Sequence, residues 1–198
     1  MLHVLRRHLA TGERSGNFAS GSFVARAKAA NDASVLVGPF SSAGKFDSCL
    51  ERAGMQCLSI GEGSVACELR VNEELSNNFG TLHGGAISTI VDVVGTLALL
   101  SKDPTRPGVS IEMNQTFCSA AKLGDRVLML GTVLRRGRSM GFTEVRLRHW
   151  GAVGDVEAMA SLLAEQPEEG SRRRALLELE ALAGPVVAVG RHTKVFAT

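Results

Sequence analysis

Residues 84–100 read GGAISTIVDVVGTLALL and contain the longest apolar run of the chain. At 100° per residue, the bulky apolar positions fall on one stripe roughly 120° wide. These positions are Ile87, Ile90, Val91, Val94, Leu97 and Ala98. The pattern predicts one long helix that packs one face against a sheet.

A second face of the same helix carries a single carboxylate, Asp92, among the small residues Ser88, Gly95 and Thr96. No lysine or arginine accompanies Asp92 on this helix. Small side chains favour close approach of another surface, such as a second subunit. A carboxylate in such a crevice is partly desolvated, which makes Asp92 a candidate general base. The competing interpretation is an ordinary surface aspartate on an amphipathic helix.

The helix is preceded by His83 and begins with the pair Gly84 and Gly85. Two glycines let a ligand approach the backbone, and the first N–H groups of a helix have no partner within it. Those groups and the helix dipole favour a developing negative charge, such as the oxygen of a carbonyl group under attack. A flexible glycine turn is the alternative, and we expect His83 to brace the loop rather than transfer a proton.

The rest of the chain predicts short strands around this helix. We expect strands at Cys57–Ile60, Ser64–Val71, Val109–Phe117, Arg126–Leu134, Gly141–Trp150 and Pro185–Phe196, and a short helix at Ser42–Arg52. One long helix among antiparallel strands is typical of the α+β class.

The segment Gly151–Gly184 interrupts two strands that a hairpin could join. It contains two helical runs, Ala158–Ala164 and Ala175–Ala183, separated by the charged residues Glu165–Arg174. We interpret it as a helical, mobile insertion on one edge of the sheet, with Glu168–Arg174 as a solvated loop.

The charge is unevenly distributed along the 198 residues, whose net charge is +2. Residues 1–31 hold five basic residues and one acidic residue, which leaves 17 basic and 19 acidic residues in the remainder. The folded part therefore lacks the basic field that general nucleic-acid binding requires. No cysteine or histidine cluster has zinc-ligand spacing, and no metal site is predicted.

The first 40 residues are rich in arginine, serine and alanine and poor in acids. This composition predicts a mitochondrial transit peptide ahead of a domain at 41–198, with a disordered tail and a cytoplasmic protein as the alternative. Downstream, Asp92 interrupts the longest apolar run, so no integral membrane segment is expected.

Several motifs then occur in a recognisable order. Residues 77–85 read NNFGTLHGG and are followed by Val91-Asp92, Pro107-Gly108-Val109-Ser110, Ala121-Lys122-Leu123-Gly124 and Gly190-Arg191-His192-Thr193-Lys194. Over residues 42–150 and 185–196 the chain resembles the hotdog-fold thioesterase superfamily, in particular its acyl-coenzyme A thioesterase 13 type. One departure is Ser119-Ala120-Ala121, where the family often has a proline before Lys-Leu-Gly.

The resemblance implies a hotdog fold, in which a curved antiparallel sheet wraps the long helix, with the helical insertion before the last strand. It implies a homodimer, usually assembled into a homotetramer, with active sites at the dimer interface. The implied reaction is hydrolysis of fatty acyl-CoA, of medium to long chain, to free acid and CoA. No metal or organic cofactor is implied, since coenzyme A is part of the substrate.

The resemblance also assigns roles to individual residues. Asp92 matches the general base or nucleophile, and Ser110 the residue that orients the water. Asn77 matches the side chain that polarises the thioester carbonyl, with Asn78 as its rival. The Gly84 N–H matches the oxyanion donor. Asn77 and Gly84 would come from one subunit, and Asp92 and Ser110 from the other.

Coenzyme A contacts are implied at Phe117, Arg135, Arg136, Gly137, Arg138, Ser139, Met140 and, less directly, Val195. The residues support this independently, because three arginines around one glycine in a tight turn suit phosphate groups. A solvated basic turn is the alternative. Two rival functions stay open: an acyl-thioester hydratase or dehydratase of the same fold, and a non-catalytic acyl-CoA-binding scaffold.

Overall fold

The computed structural model describes residues 46–61, 63–103, 106, 108–151 and 169–196, without the side chains of 169–173. The helices are α1 (Ser48–Arg52), α2 (Gly84–Lys102) and α3 (Glu169–Leu182), with a 3₁₀ turn at Glu73–Leu75. The strands are β1 (Gln56–Gly61), β2 (Ser64–Arg70), β3 (Val109–Phe117), β4 (Arg126–Arg136), β5 (Met140–His149) and β6 (Val186–Val195).

The strands form one antiparallel sheet in the order β1-β2-β4-β5-β6-β3. Helix α2 packs against this sheet and contacts all six strands, β4 most extensively. From Val93 to Ser101 every residue of α2 is buried. The predicted α+β hotdog architecture, with a long central helix wrapped by a sheet, is confirmed.

Strand alternation divides the sheet into two apolar faces. On β2 and β4, Val65, Cys67, Val127 and Met129 point into the main core with α2. The residues between them belong to a second cluster: Ala66, Leu128 and Leu130, together with Trp150 and Leu179. Because successive side chains of a strand point to opposite faces, this second cluster lies on the side of the sheet away from α2.

Helix α3 covers that outer face, which corrects the expectation for the insertion. Leu179 of α3 is completely buried in the second cluster, and Glu180 forms ion pairs with Arg146 and Arg148 of β5. The solvated loop expected at Glu168–Arg174 is wrong from Glu169 onward, since α3 begins there. Glutamate and arginine have high helix propensity, so the charged residues from Glu169 onward form the first turns of α3 rather than a loop. Residues 152–168, including Ala158–Ala164, lie outside the described residues.

Two elements have boundaries that differ from the expectations: the first helix and strand β4. The helix expected at Ser42–Arg52 is seen from Ser48, with Asp47 at its N-cap position, while Ser42 and the whole extension 1–40 lie outside the described residues. Strand β4 runs on to Arg136, so Arg135 and Arg136 are strand residues rather than turn residues.

Among the described residues, α2 is the one helix long and apolar enough to cross a membrane by length and composition, and 67% of its apolar window is buried inside the fold. It is the core helix of the domain.

Strand β3 lies at one edge of the sheet, paired with β6 on one side only. Its apolar side chains Val109, Ile111, Met113 and Phe117 are exposed. An exposed apolar edge strand is a surface on which another strand pairs readily.

Candidate active site

Asp92 lies in the middle of α2, and its side chain is 40% exposed. Four polar groups surround one of its oxygens, Oδ1. Ser110 Oγ and Thr96 Oγ1 lie 3.4 Å away, and His192 Nε2 and Lys194 Nζ lie 3.5 Å away. None of the contacts found among the described residues reaches Oδ2. The protein therefore holds Asp92 by one oxygen and leaves the other available to a reactant.

The small residues beside Asp92 face strands of the same chain. A Cβ at Gly95 would lie 2.7 Å from Thr143 Oγ1 of β5 and 3.4 Å from His192 Nδ1 of β6. Thr96 is buried and accepts a hydrogen bond from Lys194 Nζ at 2.7 Å. The predicted close approach of another surface is confirmed for Gly95 and Thr96, and that surface is the chain's own sheet rather than a second subunit. The curved sheet wraps α2 on more than one side, and close packing against β5 and β6 excludes a side chain at Gly95.

His192 joins Ser110 to the cluster. Its Nε2 lies 2.8 Å from Ser110 Oγ, whereas its Nδ1 is buried without a hydrogen-bond partner among the described residues. A buried N–H without an acceptor is rarer than a buried acceptor without a donor. This assigns the proton of the neutral ring to Nε2, which donates to Ser110 Oγ, while the serine hydroxyl donates to Asp92 Oδ1.

Burial and charge together keep His192 neutral. Desolvation lowers the pKa of His192, and the positive charge of Lys194 lowers it further, while Asp92 and Glu112 raise it. A neutral imidazole with one donor nitrogen fixes the direction of the hydrogen bonds that lead to Asp92.

Lys194 and Asp47 complete the electrostatics of the site. Burial lowers the pKa of Lys194, against an upward effect of Asp92 and Asp47. Burial raises the pKa of Asp47 of α1, and the nearby negative charge of Asp92 raises it further, while Lys194 lowers it. Two carboxyl groups therefore lie near one buried ammonium.

His192 and Lys194 are absent from the site residues predicted from the sequence, although both belong to one of the quoted motifs. The available signal was the period of two on β6, which places both ionisable side chains on the face that meets α2. Two ionisable residues facing a buried apolar helix need partners, and Asp92 was the candidate partner on that helix.

The start of α2 is organised by His83. Its Nδ1 accepts a hydrogen bond from the Gly85 N–H at 2.8 Å, so the imidazole caps the helix. No partner for the Gly84 N–H is found in the described part of the chain. A Cβ at Gly84 would lie 3.6 Å from the ring of Phe117. An unpaired N–H and an exposed aromatic ring thus lie side by side at the helix N-terminus.

Asn77 shapes the loop before that terminus. Its Oδ1 accepts hydrogen bonds from the N–H groups of Phe79 and Thr81 at 2.9 and 3.2 Å, and its Nδ2 donates to Thr81 Oγ1 at 2.9 Å. Its rival Asn78 is exposed in the same loop. These bonds fix the loop, and one Nδ2 proton of Asn77 remains for another acceptor.

Within one chain, Gly84 and Asp92 are too far apart to act on one carbonyl group. They are eight residues apart on α2, which is about 12 Å along the helix axis. The structure therefore brings Asp92 and Ser110 together, and Gly84 and Phe117 together, as two separate half-sites.

Strand β4 ends in two arginines, Arg135 and Arg136, which differ in their contacts. Arg136 pairs with Asp103, and its guanidinium carbon lies 4.8 Å from the ring centre of Phe196. Arg135 is exposed and lines an open pocket with Lys102. Arg136 thus pairs with the protein's own groups, whereas Arg135 and Lys102 of this pocket have no ion-pair partner among the described residues.

The other residues expected to contact coenzyme A form the adjoining turn. The Gly137 N–H donates to the Met140 carbonyl at 2.8 Å, and the Ser139 carbonyl accepts from the Phe196 N–H at 2.8 Å. Arg138 is exposed at the tip, and Val195 is paired with Val109 and Met140.

Similarity to known proteins agrees with this arrangement. A family model described as "Thioesterase superfamily" matches residues 79–150. Acyl-coenzyme A thioesterase 13 of Mus musculus is 37% identical over 102 residues, which cover 52% of this chain and 71% of that protein. The chain belongs to the thioesterase superfamily.

Two further members of the thioesterase superfamily extend the comparison. Acyl-coenzyme A thioesterase 13 of Homo sapiens is 46% identical over 90 residues, or 46% of this chain. That match spans 64% of the human protein's length. The crystal structure of zebra fish thioesterase superfamily member 2 superposes with a TM-score of 0.64 at 30% identity, covering 83% of this chain and 95% of that chain.

Proposed function

We propose that this protein is an acyl-CoA thioesterase, which hydrolyses fatty acyl-CoA of medium to long chain to free acid and CoA. The observation that carries the proposal is the pair Asp92 and Ser110 on neighbouring elements, with Ser110 Oγ 3.4 Å from Asp92 Oδ1, in a chain of the thioesterase superfamily. The similarity to proteins named acyl-coenzyme A thioesterase 13 supports the same substrate class.

In the proposed reaction, the ionised carboxylate of Asp92 takes a proton from water. The water oxygen attacks the thioester carbonyl carbon, and the carbonyl oxygen becomes an oxyanion. The carbon–sulfur bond then breaks, and the proton passes to the departing CoA thiolate. Oδ2 is the oxygen suited to accept the proton, because Oδ1 is held by Ser110, Thr96, His192 and Lys194. Water is the only co-substrate, and no cofactor takes part.

The oxyanion is stabilised by the Gly84 N–H at the start of α2, with Asn77 polarising the carbonyl. A positioned donor of this kind contributes on the order of 3 kcal/mol to the transition state. Phe117, which lies beside Gly84, contacts the substrate near the thioester. The helix dipole adds to the stabilisation of negative charge at this point.

The site needs two chains, because Gly84 and Asp92 of one chain lie about 12 Å apart along α2. A second copy supplies the missing half when two β3 edges pair and extend the sheet. The exposed apolar residues of β3 support this homodimer, and assembly of two dimers into a homotetramer is the further step proposed. The extension 1–40 directs the protein to mitochondria, where it acts in fatty acid metabolism.

Steady-state hydrolysis of a panel of acyl-CoA esters tests the proposal. We expect Asp92→Asn to lower kcat at least about a hundredfold, the usual effect of losing a general base. Asn77→Ala and Ser110→Ala should lower kcat less. The control Glu178→Gln removes an exposed carboxylate of α3 and should leave kcat unchanged.

Three outcomes would contradict the proposed function. Near wild-type kcat for Asp92→Asn would remove the base from the mechanism. Hydration of an enoyl-CoA without release of CoA would make the protein a hydratase. Tight binding of acyl-CoA without turnover would make it a scaffold.

A further inference from the structure

Lys194 is an unusual residue for the place that it occupies. Its side chain is 8% exposed and lies between β6 and α2. Lysine is rarely buried, because the loss of hydration disfavours the ammonium form, and it then requires partners. The family roles considered above give Lys194 no function, and the hydrolytic mechanism does not use its proton.

The contacts of Lys194 converge on Asp92. Nζ donates to Thr96 Oγ1 at 2.7 Å, and Thr96 Oγ1 in turn donates to the Asp92 backbone carbonyl at 2.7 Å. The same Nζ lies 3.5 Å from Asp92 Oδ1. Thr96 lies one helical turn after Asp92 and holds the ammonium of Lys194 in place. At 3.5 Å from Oδ1, the ammonium attracts the carboxylate of Asp92.

Charged and titratable groups face Lys194 from each neighbouring element. Asp92 faces it from α2, Asp47 from α1 and His192 from its own strand, while Glu112 of β3 acts on His192. Asp47 acts on Lys194 and on Asp92 through its charge alone, and it lies before the residues matched by the family model, which begin at 79.

We propose that Lys194 is a positioning residue for Asp92, whose buried ammonium holds Oδ1 and stabilises the ionised carboxylate, while Asp47 weakens that effect by sharing the same cation. The inference rests on the proposed function, because it assumes that Asp92 is the base. It agrees with the 40% exposure of the Asp92 side chain, because the cluster holds Oδ1 and none of the contacts among the described residues reaches Oδ2.

The pH dependence of kcat/KM tests the inference in the full-length protein. In Lys194→Met the acidic limb, which reports protonation of the essential base, should move to higher pH. Lys194→Arg should restore the limb, since it keeps the charge. Asp47→Asn should move the limb in the opposite direction, to lower pH, because it removes a negative charge that repels Asp92 and acts on Lys194.

Arg191→Met is the matched control. Arg191 is the other cation of this stretch of β6, but its side chain is exposed and pairs with Glu144. Its removal should leave the limb where it is. If Lys194→Met lowers the whole profile without moving the limb, Lys194 is merely structural and the inference is overturned. If Lys194→Met does not fold, Asp47→Asn decides, and an unmoved limb in that variant also overturns the inference.

Failure of the proposed function is distinguishable from failure of this inference. If the wild-type protein hydrolyses no acyl-CoA, the proposed function is wrong. The ¹³C NMR titration of the Asp92 carboxyl group then decides the inference without turnover. A higher midpoint in Lys194→Met supports it, whereas superimposed titration curves overturn it.

Discussion

Ser110 Oγ and His192 Nε2 lie 2.8 Å apart across the neighbouring strands β3 and β6. This contact ties the edge strand of the sheet to a buried imidazole. His192 is held neutral by burial and by Lys194. Its ring N–H therefore donates to the Ser110 hydroxyl, and that hydroxyl donates to the carboxylate of Asp92. The contact also makes the fold sensitive to acid.

The first prediction concerns the pH dependence of stability. Burial lowers the pKa of His192 in the folded protein, so the unfolded chain binds its proton more readily. The free energy of unfolding should rise with pH from the lowered pKa up to about 6.5 and then level off, with a slope of at most about 1.4 kcal/mol per pH unit from this group. Urea unfolding between pH 5 and 8 measures this, and His192→Gln should flatten the curve. Parallel curves for both proteins would contradict it.

The second prediction concerns the packing of α3. Leu179 is fully buried against the outer face of the sheet, whereas Leu177 of the same helix is 58% exposed. Leu179→Ala should lower the free energy of unfolding by about 3 kcal/mol. The matched change Leu177→Ala should cost less than about 0.5 kcal/mol. Equal effects in urea unfolding would show that α3 does not pack as described.

The third prediction separates two adjacent arginines. Arg135→Ala should raise KM for acyl-CoA but leave KM unchanged for the matching acyl-pantetheine, which lacks the nucleotide phosphates. Arg136→Ala should instead lower the free energy of unfolding by about 2 kcal/mol, because its charge-assisted bond to Asp103 is lost. The two KM values and a urea titration distinguish these roles. An equal rise of both KM values in Arg135→Ala would argue against a phosphate contact.

The fourth prediction concerns the β3 edge. Met113→Lys places like charges near each other when two β3 strands pair, so the dimer should dissociate and hydrolysis should fall with it. Light scattering after size-exclusion chromatography measures the mass. Leu177→Lys makes the same kind of change, from an apolar to a charged side chain, at an exposed position of α3. It should leave mass and activity unchanged. A wild-type monomer with full activity would rule out the two-chain site.

The sequence was sufficient to predict α2, because one helix face follows the 3.6-residue period without interruption, and the strands, because their apolar residues alternate. It was also sufficient to pair Asp92 with Ser110, through the ordered motifs. It could not place Lys194 beside Asp92, because 102 residues separate them and only the sheet register brings them together.

Two errors have the same physical origin. The charged run before Ala175 was interpreted as a loop, although polar residues are equally compatible with the solvent face of a helix. The small residues around Asp92 were interpreted as a sign of another surface close by, such as a second subunit, although Gly95 equally allows the chain's own sheet to approach. Residue size and polarity indicate how close a neighbour comes, but they do not identify the neighbour.

The position of α3 changes the character of the sheet's outer face. Leu128, Leu130 and Trp150 are shielded by a segment of their own chain, so this face behaves as protein interior. Two dimers that stack through it would first have to displace a helix anchored by Glu180. Helix α3 thus keeps this face of the sheet from contact with other copies of the chain. Contacts between copies are left to the surfaces that α3 does not cover.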